Sequence, residues 1–348
     1  MLNGKTVLIT GGTGSFGKKF VQIVLQKYKP KKLIVFSRDE LKQFEMAQRF
    51  TVEEHPCLRY MLGCVRDGDR LKRAFHDVDY VVHAAALKQV PAAEYNPGEC
   101  IKTNVLGAMN VIDAALYSNV TKVVALSTDK ACNPINLYGA TKLCSDRLFS
   151  AAKVYRGSLR TIFSVVRYGN VVGSRGSVIP FFQERVKTGV LPITDPRMTR
   201  FWITLSQGVH FVLYALAHCQ GGELYVPKIP SMKVTDLATA IGPHCEQRTV
   251  GIRPGEKLHE VLISEDEARN AVEFDKHYVV QSEPTLRARL LDPKNPDGVG
   301  KPCEEHFRYV SDTNPDFMRV ADLEKLLVQI SDDYRIEESR WSPVVNPK

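Results

Sequence analysis

The run Thr6-Val7-Leu8-Ile9-Thr10 and the glycine-rich segment after it, Gly11-Gly12-Thr13-Gly14-Ser15-Phe16-Gly17, constrain this chain more than any other feature. An unbroken apolar and β-branched run of this length fits a strand buried on both faces. Glycines at 11, 14 and 17 permit a tight turn and let the backbone approach an anionic group at the N-terminus of the helical stretch that begins near Lys18. Alone, such a triad is an ordinary turn signal. Behind the first strand of an α/β chain it predicts a dinucleotide pyrophosphate resting on Gly11, Gly14 and Gly17.

Runs of the same kind recur at Leu33–Phe36, Tyr80–Ala84, Val123–Leu126 and Ile162–Val166, with helix-length segments between them. This alternation predicts an α/β, Rossmann-type doubly wound parallel sheet with ligands at the carboxyl ends of its strands. Past about residue 170, Gly173, Gly176, Pro180, Gly189, Pro192 and Pro196 interrupt the pattern. The expected division is a dinucleotide-binding domain over 1–170, a smaller and mainly substrate-binding α/β lobe over 171–330, and a tail over 331–348 with little core-forming content. The chain is free to re-enter the first domain after residue 200. At 348 residues and 44% hydrophobic, it has ample apolar material for a large core.

No window approaches the roughly eighteen apolar residues of a membrane helix, and the N-terminal apolar run is too short for a signal peptide, so a cytoplasmic protein without a membrane partner is expected. Cysteines 57, 64, 100, 132, 144, 219, 245 and 303 lack C-x-x-C spacing and a neighbouring histidine cluster; they read as reduced structural thiols, with no metal site. The net charge of +8 suits nucleotide phosphates. Its tight group, Lys29, Lys31 and Lys32, reads as a solvated face, so no nucleic-acid partner is expected.

The second strand runs out at Ser37-Arg38-Asp39. About twenty residues past a glycine loop, a carboxylate bonds the ribose hydroxyls of NAD, whereas an arginine accommodates the 2′-phosphate of NADP. Ser37 and Arg38 point to NADP, while Asp39 keeps NAD open.

Further on, Val123–Leu126 leads into Ser127-Thr128-Asp129-Lys130, and Tyr138-Gly139-Ala140-Thr141-Lys142 heads a helical segment. Tyr138 and Lys142, at i and i+4, share a helix face, which places the ammonium to lower the phenol pKa and to reach the nicotinamide ribose. Tyr138 is then a base. His83, just before the small residues Ala84, Ala85 and Ala86, reads as a packing residue.

With these residues the likeness becomes specific. Ser127-Thr128-Asp129-Lys130-Ala131 followed by Asn133-Pro134-Ile135-Asn136-Leu137-Tyr138-Gly139-Ala140-Thr141-Lys142 resembles the configuration-inverting UDP-N-acetylglucosamine 4,6-dehydratases that begin pseudaminic acid synthesis, within the extended short-chain dehydrogenase/reductase family. The similarity runs from Lys5 to about Glu324. It includes Ala84-Ala85-Ala86-Leu87-Lys88-Gln89-Val90-Pro91, Arg167-Tyr168-Gly169-Asn170-Val171, Met198-Thr199-Arg200-Phe201-Trp202, Arg253-Pro254-Gly255-Glu256-Lys257 and Ser311-Asp312-Thr313-Asn314-Pro315.

The resemblance implies a hydro-lyase that removes hydride from sugar carbon 4, a proton from carbon 5 and the hydroxyl from carbon 6, then returns hydride to carbon 6. Tyr138 would take the 4-hydroxyl proton, Lys130 the carbon 5 proton, and Asp129 would protonate the departing hydroxyl, with Thr128 and Lys142 completing the catalytic group. Lys130 can be a base only if partly neutral, and burial together with the charge of Lys142 is expected to lower its pKa. Lysine at 130, where retaining relatives carry Glu, implies reprotonation from the other face and the L-arabino 4-keto sugar.

By the same resemblance, cofactor contacts fall on Gly11, Thr13, Gly14, Ser15, Phe16, Gly17, Ser37, Arg38, Asp39, Lys42, Cys64, Val65, Ala84, Ala85, Ala86, Lys88, Tyr138, Lys142, Asn170 and Val171. UDP-N-acetylglucosamine contacts fall on Lys88, Lys130, Asn170, Val178, Thr194, Arg200, Arg253, which pairs with the diphosphate, and Glu256, which accepts a ribose hydroxyl. A homo-oligomer, dimer or hexamer, is implied as well. Two positions depart from the family: Cys64 replaces an Asp near the adenine, and Cys132 replaces a small residue. The alternatives are a retaining dehydratase, a UDP-sugar epimerase, which needs no Asp129-Lys130 pair, and a non-catalytic NADP sensor, which needs neither Tyr138 nor Lys142.

Overall fold

A computed structural model describes residues 1–339 apart from 156, 174–177 and 296–297, with side chains described to residue 330. Gly176 and the tail segment 340–348 lie outside the described residues. The first five predicted runs are strands: β1 (Thr6–Thr10), β2 (Lys32–Ser37), β4 (Tyr80–His83), β5 (Lys122–Thr128) and β6 (Ile162–Tyr168). Between β2 and β4 lies β3 (Leu58–Leu62), which the apolar pattern passes over. It is an edge strand with Arg59 and Leu62 exposed, so only part of it needs to be apolar.

The parallel order β3-β2-β1-β4-β5-β6 is that of a doubly wound sheet. The order reverses between β1 and β4, where helix α1 (Ser15–Lys27) leaves the glycine loop. Past residue 200 the chain returns: helix Leu205–His218 lies against α1, and strand Leu224–Pro227 extends the sheet in parallel beside β6. Strands His277–Val280, Ala271–Glu273 and Lys301–Pro302 then add an antiparallel edge. Phe20, Phe36, Phe75, Phe149 and Phe163 fill the main core.

A smaller lobe has its own core of Ile179, Phe182, Leu191, Ile193, Trp202 and Leu237. Its strand Thr199–Ile203 pairs with Asn170–Val171 on one side and Ser231–Lys233 on the other, which hangs the lobe directly on the end of β6. Helix Val320–Ser339 continues past residue 331, where the sequence pattern begins a tail. Among the described residues no helix is long and apolar enough to cross a membrane, and the eight cysteines are free.

Candidate active site

The glycine loop fits a dinucleotide. Gly11 takes φ +66°, and a Cβ on it would lie 2.9 Å from the Ala85 backbone; a Cβ on Gly17 would lie 2.3 Å from the Gly12 carbonyl oxygen. Gly14 caps α1 without a side chain, and the first turn holds no acidic residue, so the helix start stays open to an anion. Thr13 is buried beneath the loop, and Ser15 and Phe16 open α1. Across the switch point, Thr10 Oγ1 bonds His83 Nδ1 at 2.8 Å and accepts the Ala84 and Ala85 N–H groups at 3.2 Å, pinning the Ala84-Ala85-Ala86 run against the glycines. His83 packs on Phe149, and burial pushes its pKa down to about 3. It is a neutral packing residue.

At the end of β2, Ser37 is buried and bonded by Gln43, while Arg38 is exposed. Asp39 caps the next helix by accepting from the Lys42 N–H at 3.0 Å, and it ion-pairs with Lys42 Nζ at 2.7 Å. Among the described residues Arg38 makes no hydrogen bond or ion pair, so it can turn to an anion at this corner. Cys64 Sγ accepts from Arg66 Nε at 3.1 Å, and Val65 is buried beside it. Lys88 stands exposed on the next loop. Asn104, which the sequence reading omits, holds that loop: it bonds the Leu87 backbone in both directions, at 2.8 and 2.9 Å, and reaches Thr141 on helix Leu137–Ala151 at 3.0 Å. It sits in the π-helical turn Lys102–Leu106, a local irregularity that frequently marks functional sites.

Strand β5 delivers Thr128, Asp129 and Lys130 to the same mouth as Tyr138 and Lys142. Asn136 accepts from the Gly139 N–H at 2.7 Å and starts helix Leu137–Ala151, which orients Tyr138 and Lys142. Asp129 is fully buried; its Oδ1 accepts from Thr128 Oγ1 at 2.9 Å and Lys130 Nζ at 3.0 Å, whereas Oδ2 has no partner among the described residues. On its other side Lys130 meets Glu260 Oε1 at 3.3 Å. Arg200 Nε lies 3.9 Å from the same oxygen.

This geometry corrects two expectations. Burial does favour a neutral Lys130, but Asp129 and Glu260 outweigh it, even with Arg200 opposing them, and hold the pKa above the ordinary lysine value. Lys130 is therefore an ammonium. One reason is the adjacent Asp129 carboxylate, which also accepts the ammonium's hydrogen bond; the other is Glu260, a carboxylate that no local pattern announces, more than a hundred residues away and just ahead of strand Val261–Ile263. Second, burial raises the Tyr138 phenol to about 12, opposed by the Lys130 charge and by the neighbouring Thr128 hydroxyl. Lys142 instead donates to the Leu126 carbonyl at 2.8 Å, and burial lowers its pKa against the pull of Asp146.

Beneath the Asp129 turn, Arg167 is 1% exposed and spans Asp146 at 3.2 Å and Glu267 at 2.8 Å. Asp146 also accepts from Ser127 Oγ at 2.7 Å, and Glu267 from Cys132 Sγ at 3.4 Å, so both ends of the segment 127–132 are tied to one buried guanidinium. Cys132 is buried, its thiol pushed up to about 12 by that burial, which makes it a packing and clamping group.

The smaller lobe closes over the helix start. Asn136 Nδ2 donates to the Gly255 carbonyl at 2.8 Å, and Lys257 Nζ to the Cys132 carbonyl at 2.6 Å. This seats Arg253, exposed and 3.8 Å from Glu256, beside the mouth, with Glu256 Oε2 buried and unpartnered among the described residues. Arg200 joins the central group. Asn170 and Val171 pair beside Trp202 and Ile203, Val178 opens helix Val178–Arg185, and Thr194 follows strand Val190–Ile193. The described side chains of Asn170, Val178 and Thr194 make no hydrogen bond or ion pair to the Asp129–Lys130 group.

Residues 7–282 match the family model described as "Polysaccharide biosynthesis protein". The chain belongs to this polysaccharide biosynthesis family of extended short-chain dehydrogenases. Within it, the UDP-N-acetylglucosamine 4,6-dehydratase (inverting) of Campylobacter jejuni is 55% identical over 90% of this chain and 95% of the relative. The X-ray structure of Pen from Bacillus thuringiensis superposes with a TM-score of 0.86 at 36% identity, covering 95% of this chain and 99% of that one. DesIV, a dTDP-glucose 4,6-dehydratase from Streptomyces venezuelae solved with NAD bound, gives a TM-score of 0.64 at 25% identity over 73% of this chain and 86% of its own.

Proposed function

We propose that this chain is a hydro-lyase that dehydrates UDP-N-acetylglucosamine at carbons 4 and 6 with inversion at carbon 5, giving UDP-2-acetamido-2,6-dideoxy-β-L-arabino-hexos-4-ulose. The observation that carries this reading is the buried Asp129–Lys130 pair, 3.0 Å apart at the mouth where Tyr138 stands. An epimerase has no use for that pair. The glycine loop of Gly11, Gly14 and Gly17 would hold NADP, which would supply the hydride acceptor for carbon 4 and the donor for carbon 6. Arg38 would hold its 2′-phosphate, since Asp39 is committed to Lys42.

Tyr138 takes the 4-hydroxyl proton while its own passes to Thr128, whose hydroxyl hands one to Asp129 Oδ1 across 2.9 Å. A phenol raised to about 12 suits this relay, because the tyrosine stays protonated at each end of the step. Asp129, now a carboxylic acid, protonates the departing 6-hydroxyl as water. Lys130 removes the carbon 5 proton once its ammonium has shed one to a neighbouring carboxylate, and carbon 5 regains a proton on its opposite face. Arg253 and Glu256 hold the UDP moiety. The protein works in the cytoplasm as a homo-oligomer.

The reading is tested by incubating the protein with UDP-N-acetylglucosamine and either NADP or NAD in deuterated water, with NMR of the product. The L-arabino 4-keto sugar carrying deuterium at carbon 5 is expected. A D-xylo product alone moves the chain to the retaining class, and a 4-epimer with its 6-hydroxyl intact makes it an epimerase. For the substrate lobe, Arg253→Ala should raise the Michaelis constant for the UDP-sugar about tenfold to a hundredfold, the worth of a charged hydrogen-bond pair, with little change in kcat. An unchanged constant would return Arg253 to the role of an exposed turn residue.

A further inference from the structure

Glu260 is a buried carboxylate beside the reacting groups to which the steps above assign no role by name. It is 2% exposed, and its backbone is fixed by Ser311: its N–H donates to Ser311 Oγ at 2.9 Å and its carbonyl accepts the Ser311 N–H at 2.9 Å. Its Oε1 lies 3.3 Å from Lys130 Nζ, while Oε2 has no partner among the described residues. The charged and titratable groups around Lys130 are Asp129 on its own turn, Tyr138 on the catalytic helix, Arg200 from strand Thr199–Ile203, and Lys257 and Glu260 from the segment that closes the smaller lobe.

Two carboxylates flank one ammonium, and they cannot do the same work. Asp129 lies on the Tyr138–Thr128 path and receives the proton that originates on the 4-hydroxyl. Once protonated, it can neither stabilise the Lys130 charge nor accept a second proton. Glu260 is then the carboxylate in contact with Lys130 that still carries a negative charge. Resting on the dehydratase reading above, we propose that Glu260 is a positioning residue that stores the Lys130 proton, freeing the amine to act at carbon 5.

The protons balance. At rest Tyr138 is a phenol, Asp129 and Glu260 are carboxylates and Lys130 is an ammonium. The 4-hydroxyl proton reaches Asp129 through Tyr138 and Thr128, and the Lys130 proton moves to Glu260, leaving two carboxylic acids and a neutral amine. Elimination transfers the Asp129 proton to the leaving hydroxyl as water and the carbon 5 proton to Lys130. Solvent delivers a proton to carbon 5 on the opposite face and the Lys130–Glu260 pair releases one to solvent, which restores the resting state with no net acid or base consumed.

The test compares the full-length wild type with Glu260→Gln and Glu260→Asp, each with bound cofactor and UDP-N-acetylglucosamine, from neutral to alkaline pH. Dehydration and carbon 5 deuterium incorporation by Glu260→Gln should fall about 100-fold at neutral pH, a usual size for a lost proton acceptor. Both should then climb about tenfold per pH unit as solvent takes over deprotonation of Lys130, a slope the wild type does not share. Formation of reduced nicotinamide in a single turnover should fall far less, because oxidation at carbon 4 precedes the Lys130 step. Glu260→Asp, which keeps a carboxylate, should be slower than wild type yet keep the wild-type profile. A Glu260→Gln profile parallel to wild type would overturn the proposal in favour of a purely structural carboxylate, as would an alkaline slope in Glu260→Asp. Should Glu260→Gln fail to fold, the Glu260→Asp profile decides by itself. If the wild type forms no 4-keto-6-deoxy product, the dehydratase reading fails first and takes this one with it, a result visible before any substitution is made.

Discussion

Lys130→Ala should reduce dehydration roughly a thousandfold, within the range that general acid and base groups contribute, while the Michaelis constant for the UDP-sugar changes little. The split follows from position. Lys130 is clamped at 3.0 Å to Asp129 and 3.3 Å to Glu260, an arrangement that poises it for proton transfer more than for ground-state binding. The 4-hydroxyl path through Tyr138, Thr128 and Asp129 survives the substitution. Reduced nicotinamide should therefore accumulate after a single turnover, and carbon 5 should take up no deuterium. Lys130→Ala also strips the ammonium from between two buried carboxylates, so some loss of stability will accompany it. Thermal unfolding separates the effects, because a general loss of structure would abolish the carbon 4 oxidation together with the rest. Full dehydratase turnover by Lys130→Ala would remove Lys130 from the mechanism.

Arg167→Met should have the largest effect on stability, about 3–5 kcal/mol, because it leaves Asp146 and Glu267 buried without their common cation. The expected pH dependence is specific. Burial holds the Asp146 carboxyl above its usual pKa even with Arg167 and Lys142 opposing it, so the folded state binds that proton more tightly than the unfolded chain does. Its contribution to stability is complete below the unfolded pKa and is lost as pH rises through the folded value. Removing Arg167 raises that value further and widens the window. The deficit of Arg167→Met should accordingly shrink as the medium is acidified and grow toward neutrality, which melting curves across a pH series will read. A deficit independent of pH would mean that packing, rather than the ion pairs, is what Arg167 supplies. Activity should fall along with stability, since Ser127 and Cys132 lose the tie that positions Asp129 and Lys130 between them.

Much of the fold is legible in the chain because its code is local. Continuous apolar runs mark strands buried on both faces, and the glycines mark a turn in which added Cβ atoms would strike the backbone. Strand β3 escapes that pattern because an edge strand is only half covered. β5 and β6 run two residues past their apolar stretches, to Thr128 and Tyr168, because the polar residues there find partners: Ser127 in Asp146, and Arg167 in Asp146 and Glu267. No window of sequence reports such pairings.

The same boundary runs through the candidate site. Asp129, Lys130, Tyr138 and Lys142 lie within one strand, turn and helix, so the sequence alone determined that they meet at the mouth of the cofactor cleft. Their protonation was decided by tertiary structure. Glu260, from the segment that closes the smaller lobe, joins the adjacent Asp129 in making Lys130 an ammonium, and the Leu126 carbonyl takes up the Lys142 cation assigned to Tyr138. The physical reason is that residue identity and spacing establish which groups can be neighbours along a strand or helix, whereas the charge of a buried group depends on every dipole and ion packed around it, whatever its place in the sequence.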